Sequence, residues 1–474
     1  MGSRSRVSEW ALALGVVAVS AVLVYFGSGL HPHWWLAWLA PVPILWFAGR
    51  PNSRGVFLVV AAAWFIGSLN WWRYLHGVIE APTLLCIAFL LIPSLLLALC
   101  VLLWRRLLLR GRIWLAVFSL PVAWTAIGFI QELCSPNSTF GNMAYSQMDF
   151  LPLIQIASVA GIWGITFCLL LVPSAIAVFL HGGRAGRTAA AFALATFFSA
   201  IGFGAWRLHR PMETTGTIRT ELMTNDTRGE IFAERDARSL ELLRKYTAAA
   251  GKSGGAEVIL IPEKIARFSA EGSEQAHSTL SNAAVAKHVY VLAGLDEDRG
   301  GGRRNDAVLF TPEGQLAIDY EKHHFVPRIE VGYVTGADYS VLRQPSGVWG
   351  VAICKDMDFP PLGRQYGRLG TGALLVPAWD FMIDDWYHAR MAILRGVESG
   401  FSVARAAKQG LLTVSDNRGR ILLERRGSAS EMVSVEGLVP VAHAGTLYAR
   451  WGDWFPWLCV AAFLLCVVMG FRGK

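Results

Sequence analysis

Long uncharged runs follow one another from residue 10 to 206, and one more closes the chain at 453–471, whereas 207–452 mix apolar and charged positions as a water-exposed domain does. A helix needs about 20 mostly apolar residues to cross the hydrocarbon core of a bilayer. Eight runs approach that length: 10–28, 34–48, 55–72, 81–104, 113–131, 152–180, 188–206 and 453–471. The second is short and carries Pro41 and Pro43. The first follows Arg4 and Arg6 as a signal peptide would, but no small-residue cleavage site succeeds it and seven further runs do, so it reads as a retained helix. The pattern predicts a polytopic α-helical membrane domain of about eight spans, with seven in 1–206 and the eighth in 453–474. A domain at 207–452 is inserted before the last span.

Inside 207–452 the periodicity shortens to that of strands separated by amphipathic helices. TIRTELMT, EVILIPE, VYVLAGLDE, DAVLFT, QLAIDYEK, VWGVAIC, GALLVPAW, FSVARAA, LLTVSD and GRILLER read as strands, and 229–250, 273–287 and 384–399 as helices, with a short helix after VWGVAIC. The class is α/β, in which chemistry gathers at the C-terminal ends of strands.

Composition supports the division, since 54% hydrophobic and 16% charged residues are too apolar for a soluble enzyme of this size. Eight spans put Arg4, Arg6, Arg50, Arg54, Arg105, Arg106, Arg110, Arg112, Arg184, Arg187, Arg472 and Lys474 on one side, against Arg73 in the opposite short loops. By the positive-inside rule both termini are expected in the cytoplasm and 207–452 outside it. Those twelve cations exceed the whole net charge of +8, so the basic balance reports topology, and no nucleic-acid partner is expected.

Five of the seven cysteines lie inside apolar runs, leaving Cys134 and Cys354 outside, between which a disulfide is left open. No Cys-x-x-Cys or His-Glu-x-x-His spacing occurs, and neither a metal nor a cofactor is expected. Three strand ends each stop at a reactive residue: LIPE at Glu263, DYEK at Lys322 and VAIC at Cys354. Singly each is unremarkable; together a carboxylate, an ammonium and a thiol make a base, an oxyanion partner and a nucleophile for acyl transfer.

The order Glu, Lys, Cys, set in I-P-E, Y-x-K-x-H-x-V-P and I-C, resembles the nitrilase (carbon-nitrogen hydrolase) superfamily. With the attached membrane helices, YSQ at 145–147, the ARM…R…E helix at 389–398 and TLYARWGDW at 446–454, it is similar to apolipoprotein N-acyltransferases. That family's C-Y-E is Cys354-Lys355-Asp356 here, which marks a divergent member. The resemblance implies a nitrilase-like αββα sandwich on the periplasmic face of a bacterial cytoplasmic membrane, acting as a monomer. It implies a phospholipid acyl donor, a diacylglyceryl apolipoprotein acceptor, and a thioester on Cys354 formed with Glu263 as base and Lys322 as oxyanion partner. Glu330 and Asp356 take supporting roles. Lys322 is expected to lower the thiol pKa, and Lys355 to point to the other face of the strand end as a solvated or lipid-phosphate-facing lysine. Trp379, Phe381, Met382 and Trp386 are candidates for an amphipathic lid or for ordinary core aromatics, and His323 and His324 read as structural. Two rivals remain: a membrane-anchored amidase using the same thioester, and a transporter or lipid-binding protein with a degenerate domain.

Overall fold

A computed structural model describes residues 2–227, 236–251, 254–299 and 301–472. The chain divides into two compact units, one of Met1–Ser135, Phe140–His209 and Asp453–Lys474, the other of Pro136–Thr139 and Arg210–Gly452.

Among the described residues of the first unit, seven helices are long and apolar enough to cross a membrane: Glu9–Gly27, Val56–Gly77, Thr83–Leu109, Ile113–Cys134, Ile162–His181, Gly183–His209 and Trp454–Phe471. The run at 34–48 is a correction to the eight expected spans. It forms the shorter apolar stretch Leu36–Gly49, divided into Leu36–Leu39 and Pro41–Gly49 where Pro41 starts a new helix. The run at 152–180 is also divided. Two short turns precede Gly161, whose φ of 64° and ψ of −168° suit glycine, and the spanning helix begins at Ile162. Polar groups link helices in this unit: Trp104 Nε1 donates to Ser174 Oγ at 3.1 Å and Ser174 Oγ to the Val117 carbonyl at 2.8 Å. Arg106 and Arg110 donate to the Gly470 carbonyl, near the end of the last helix, at 2.7 and 2.6 Å.

Among its described residues the second unit holds thirteen strands: β1 (Gly216–Asn225), β2 (Val258–Ile261), β3 (Arg267–Phe268), β4 (Tyr290–Asp298), β5 (Arg303–Phe310), β6 (Leu316–Glu321), β7 (Val341–Gln344), β8 (Gly347–Val351), β9 (Ala373–Trp379), β10 (Ser402–Lys408), β11 (Leu411–Ser415), β12 (Ile421–Arg426) and β13 (Met432–Val441). They form two sheets, ordered β13-β1-β2-β4-β5-β6, with β3 beside β4, and β12-β11-β10-β9-β8-β7. Both sheets repeat one pattern, an antiparallel pair, two parallel pairs and two antiparallel pairs, from β13 to β6 and from β7 to β12.

The alternation of side chains along each strand sorts the layers. Leu222, Leu260, Leu292 and Leu309 of the first sheet meet Val351, Leu375, Ala404 and Val414 of the second in a common core. Their neighbours Met223, Ile259, Val291 and Val308 face the other way, against Leu240, Leu243 and Tyr246 of helix Asp236–Ala249 and Ala276 and Leu280 of helix Ala270–Lys287. Helix Asp385–Ser399 packs on β10 and β11. The result is an αββα sandwich whose central strands, such as β2, β9 and β10, are buried on both faces, which is why they read as continuous runs. Residues 229–235 of the helix expected at 229–250 lie outside the described residues, and the rest of it spans Asp236–Ala249. The VAIC run is shorter as a strand than expected: β8 ends at Val351, and Cys354 opens a 3-10 turn, Cys354–Asp358.

Candidate active site

Glu263 lies two residues past β2, Lys322 directly after β6 and Cys354 three residues past β8, so each sheet delivers its reactive residues just beyond a strand end. The Glu263 backbone N–H donates to the Ala378 carbonyl on β9 of the other sheet at 3.3 Å. Beneath it, Gly294 leaves room for the chain: a Cβ there would stand 2.5 Å from the Glu263 Cα. Lys322 continues the β5–β6 ladder, its N–H donating to the Asn305 carbonyl at 2.9 Å.

The charges form one buried cluster. Lys322 Nζ lies 2.7 Å from Glu263 Oε1 and 2.9 Å from Glu330 Oε2. Asn305 Nδ2 donates to both carboxylates, at 2.6 Å to Glu263 and 2.7 Å to Glu330, and Lys264 Nζ reaches Glu330 Oε1 at 2.9 Å. Two carboxylates and two ammoniums are thus shielded together, which makes burial of each tolerable. Burial pulls the Lys322 ammonium down, but Glu263 and Glu330 outweigh it and hold it well above its ordinary value. Burial likewise raises Glu330, yet Lys322 and Lys264 bring it down to about 2.

Cys354 sits at φ 40°, a left-handed conformation that costs a residue with a side chain on the order of 1–2 kcal/mol. Lys264, next to Glu263, is left-handed too, at φ 44°. Both reactive turns therefore carry backbone strain of the kind found at functional sites. The Cys354 Sγ–H donates to the Trp379 carbonyl at 3.4 Å. The expected lowering of the thiol pKa is reversed: burial pushes it well above its ordinary value, Glu263 adds to this, and Lys322 only partly opposes it. Cys134 and Cys354 are both free, so the open disulfide is not formed.

Asp356 anchors the Cys354 turn. Its Oδ2 accepts from Tyr320 Oη at 2.8 Å and the Ile353 N–H at 3.2 Å, and its Oδ1 from the backbone N–H of His323 and His324 at 3.2 and 2.9 Å and from His324 Nδ1 at 3.0 Å. The carboxylate thereby fastens the start of the Cys354 turn to the segment after Lys322. His324 also stacks on Phe359 at 3.6 Å, and His323 stacks on Tyr320 at 5.3 Å. Lys355 departs from its expected exposure: it is buried, with Nζ 3.1 Å from Asp358 Oδ2 and 3.0 Å from Asn137 Oδ1. The strand alternation behind that expectation ends before Cys354, and the 3-10 turn folds Lys355 inward.

Of the four positions read as a lid, Met382 stands exposed, while Trp379, Phe381 and Trp386 are half-buried. Trp379 ends β9, and its Nε1–H donates to Gln409 Oε1 at 3.0 Å. The neighbouring Asp380 pairs with Arg405; burial lifts the Asp380 carboxyl to about 6 against the pull of that guanidinium. Sequence reasoning missed Asn305, Lys264, Tyr320 and Asp380. The one available signal was the polar pair Asn305-Asp306 at the head of an apolar strand.

Among the described residues no group of His, Cys, Asp and Glu is placed to hold a metal ion. What the arrangement brings together is a buried thiol electrostatically coupled to a carboxylate and an ammonium, the kinds of group that acyl transfer through a covalent intermediate requires.

Two family models match the chain: the apolipoprotein N-acyltransferase N-terminal domain over residues 20–175 and carbon-nitrogen hydrolase over 228–430. An apolipoprotein N-acyltransferase of Geobacter metallireducens is 26% identical over 96% of this chain and 94% of its own length. One of Rhodopseudomonas palustris is 25% identical over 88% and 87%. Among solved structures, an amidase from Nesterenkonia sp. is 22% identical at a TM-score of 0.40, over 49% of this chain and 94% of its own.

Proposed function

We propose, for a chain that belongs to the apolipoprotein N-acyltransferase family through both of its units, that it moves a fatty acyl chain from a membrane phospholipid to the N-terminal α-amine of a diacylglyceryl-cysteine apolipoprotein. The setting is a bacterial inner membrane, with the Arg210–Gly452 portion on its periplasmic side. The single observation that carries the reading is that both family models fall on one chain, which the Geobacter metallireducens relative matches over 96% of its length.

In the first half-reaction Glu263 takes the thiol proton as Cys354 Sγ attacks the ester carbonyl. The oxyanion forms against the Lys322 ammonium and the Lys355 backbone N–H. Collapse breaks the ester C–O bond, Glu263 returns the proton to the leaving lysophospholipid oxygen, and an acyl thioester remains. In the second half, the lipoprotein amine attacks the thioester carbonyl and Glu263 takes the amine proton; collapse breaks the C–S bond, Glu263 gives that proton to the Cys354 sulfur, and the amide leaves with the thiol restored. Burial and the neighbouring Glu263 raise the Cys354 thiol above its ordinary value, which fits a mechanism in which a base takes its proton as it attacks.

The test is intact-mass spectrometry of the detergent-purified protein incubated with phospholipid alone, beside Cys354→Ser. The expected result is one added acyl mass, released by hydroxylamine, absent from the variant and discharged by a diacylated lipopeptide. No adduct, with hydrolysis of short amides instead, assigns the site to an amidase and overturns the reading.

A further inference from the structure

Lys408, the last residue of β10, is a buried lysine that the acyl-transfer steps do not use. Its Nζ donates to the Lys264 carbonyl at 2.6 Å and stands 3.7 Å from the centre of the Trp379 indole. Each contact reaches a reactive turn. The Lys264 carbonyl belongs to the left-handed residue that follows Glu263 on the first sheet, and Trp379 supplies the carbonyl that accepts the Cys354 thiol on the second. Gln409, next in the chain, holds the Trp379 edge, and its own N–H donates to Asp226 at 2.7 Å.

We propose that Lys408 is a positioning residue that fixes the base turn and the nucleophile turn relative to each other, through one hydrogen bond and one cation–π contact. A buried ammonium over an indole face is worth more than an exposed one, because no water competes for it. A strained turn such as that at Lys264 persists only where its surroundings hold it, and Lys408 supplies such a hold. The charged groups facing Lys408 are Glu263 and Lys264 beyond β2, Asp226 beyond β1 and Asp296 on β4. Burial outweighs the acids among them and brings its pKa down to about 7. The contact with Trp379 is therefore cationic below that pH and weakens above it.

The inference rests on Cys354 as nucleophile and not on the identity of donor or acceptor. An activated p-nitrophenyl acyl ester serves as probe for the full chain in detergent, with thioester formation on Cys354 read by intact mass. The Cys354→Ser variant tests the underlying reading: if it acylates as fast as the wild type, that reading fails. Lys408→Met is expected to acylate about tenfold more slowly, the loss of one desolvated cation–π contact, with half-saturation by the ester unchanged. The wild type loses rate with a midpoint near the Lys408 pKa of about 7, and the variant has no such midpoint. Acylation of Lys408→Met at the wild-type rate with the wild-type midpoint overturns the proposal. Should Lys408→Met fail to fold, Trp379→Leu breaks the same contact from the other side. Slower acylation without the midpoint is then expected, and an unchanged profile overturns the proposal.

Discussion

The two sheets of the second unit repeat one strand pattern, yet they carry opposite halves of the chemistry. The first ends in a cluster of charge, Glu263, Lys322, Glu330, Lys264 and Asn305, whose members are linked by contacts of 2.6 to 3.1 Å. The second ends in a thiol held by a carbonyl and by a turn that Asp356 ties down. In the proposed reaction, charge on one side stabilises what forms and geometry on the other decides where attack begins. One architecture thus serves two requirements, because the residues beyond the strand ends differ while the strands do not.

Removing the nucleophile breaks the comparison most completely. Cys354→Ala is expected to lower transfer of an acyl chain to a diacylated lipopeptide by at least about a thousandfold, measured as a gel-mobility shift, with the thermal midpoint of unfolding little changed. Lys322→Met comes next. Loss of the oxyanion partner lowers the turnover number by about 10²–10³-fold, and two carboxylates left buried against one lysine cost about 3–5 kcal/mol of stability, read by thermal unfolding. A fall in turnover without a fall in stability would separate the roles of Lys322 that its geometry joins.

Asp356→Ala strikes the other sheet. Five hydrogen-bond donors lose their acceptor, at a cost of about 3 kcal/mol, measurable by denaturant unfolding. Acid is a milder probe of the charge cluster. Glu330 has a folded pKa of about 2, below its unfolded value of about 4.3, so its contribution is complete above the unfolded value and lost as pH falls through the folded one. Stability measured down that window should drop by about 3 kcal/mol for this group, and Glu330→Gln should flatten the drop. The smallest effect is expected at His324→Ala, about 1 kcal/mol, because its backbone N–H still donates to Asp356 when the ring is gone.

The sequence showed the reactive trio because each member ends an apolar run, and a polar residue at such an end stands out. It did not show Asn305 or Lys264, whose importance depends on the pairing of β5 with β6 and on a turn conformation that no local pattern encodes. Lys355 was misplaced for a related reason: alternation holds only while the strand lasts. β13 escaped notice because Gly437 and Pro440 interrupt its pattern, and Pro440 is tolerated because β13 is an edge strand. Among the spans, Pro41 was the visible warning, and there the apolar run indeed breaks into two short helices.

The four-group charge cluster has a consequence for the conditions in which the protein works. Two acids and two lysines balance to zero, and in the proposed reaction passing a proton from Cys354 to Glu263 only redistributes charge within an enclosed volume. Salt acts on exposed charges across a screening length of about 8 Å at physiological strength and reaches buried pairs far less. The reacting groups are thereby insulated from the ionic composition of the surrounding medium, and changes there bear on how substrates arrive, while the bond-making step keeps its own pace.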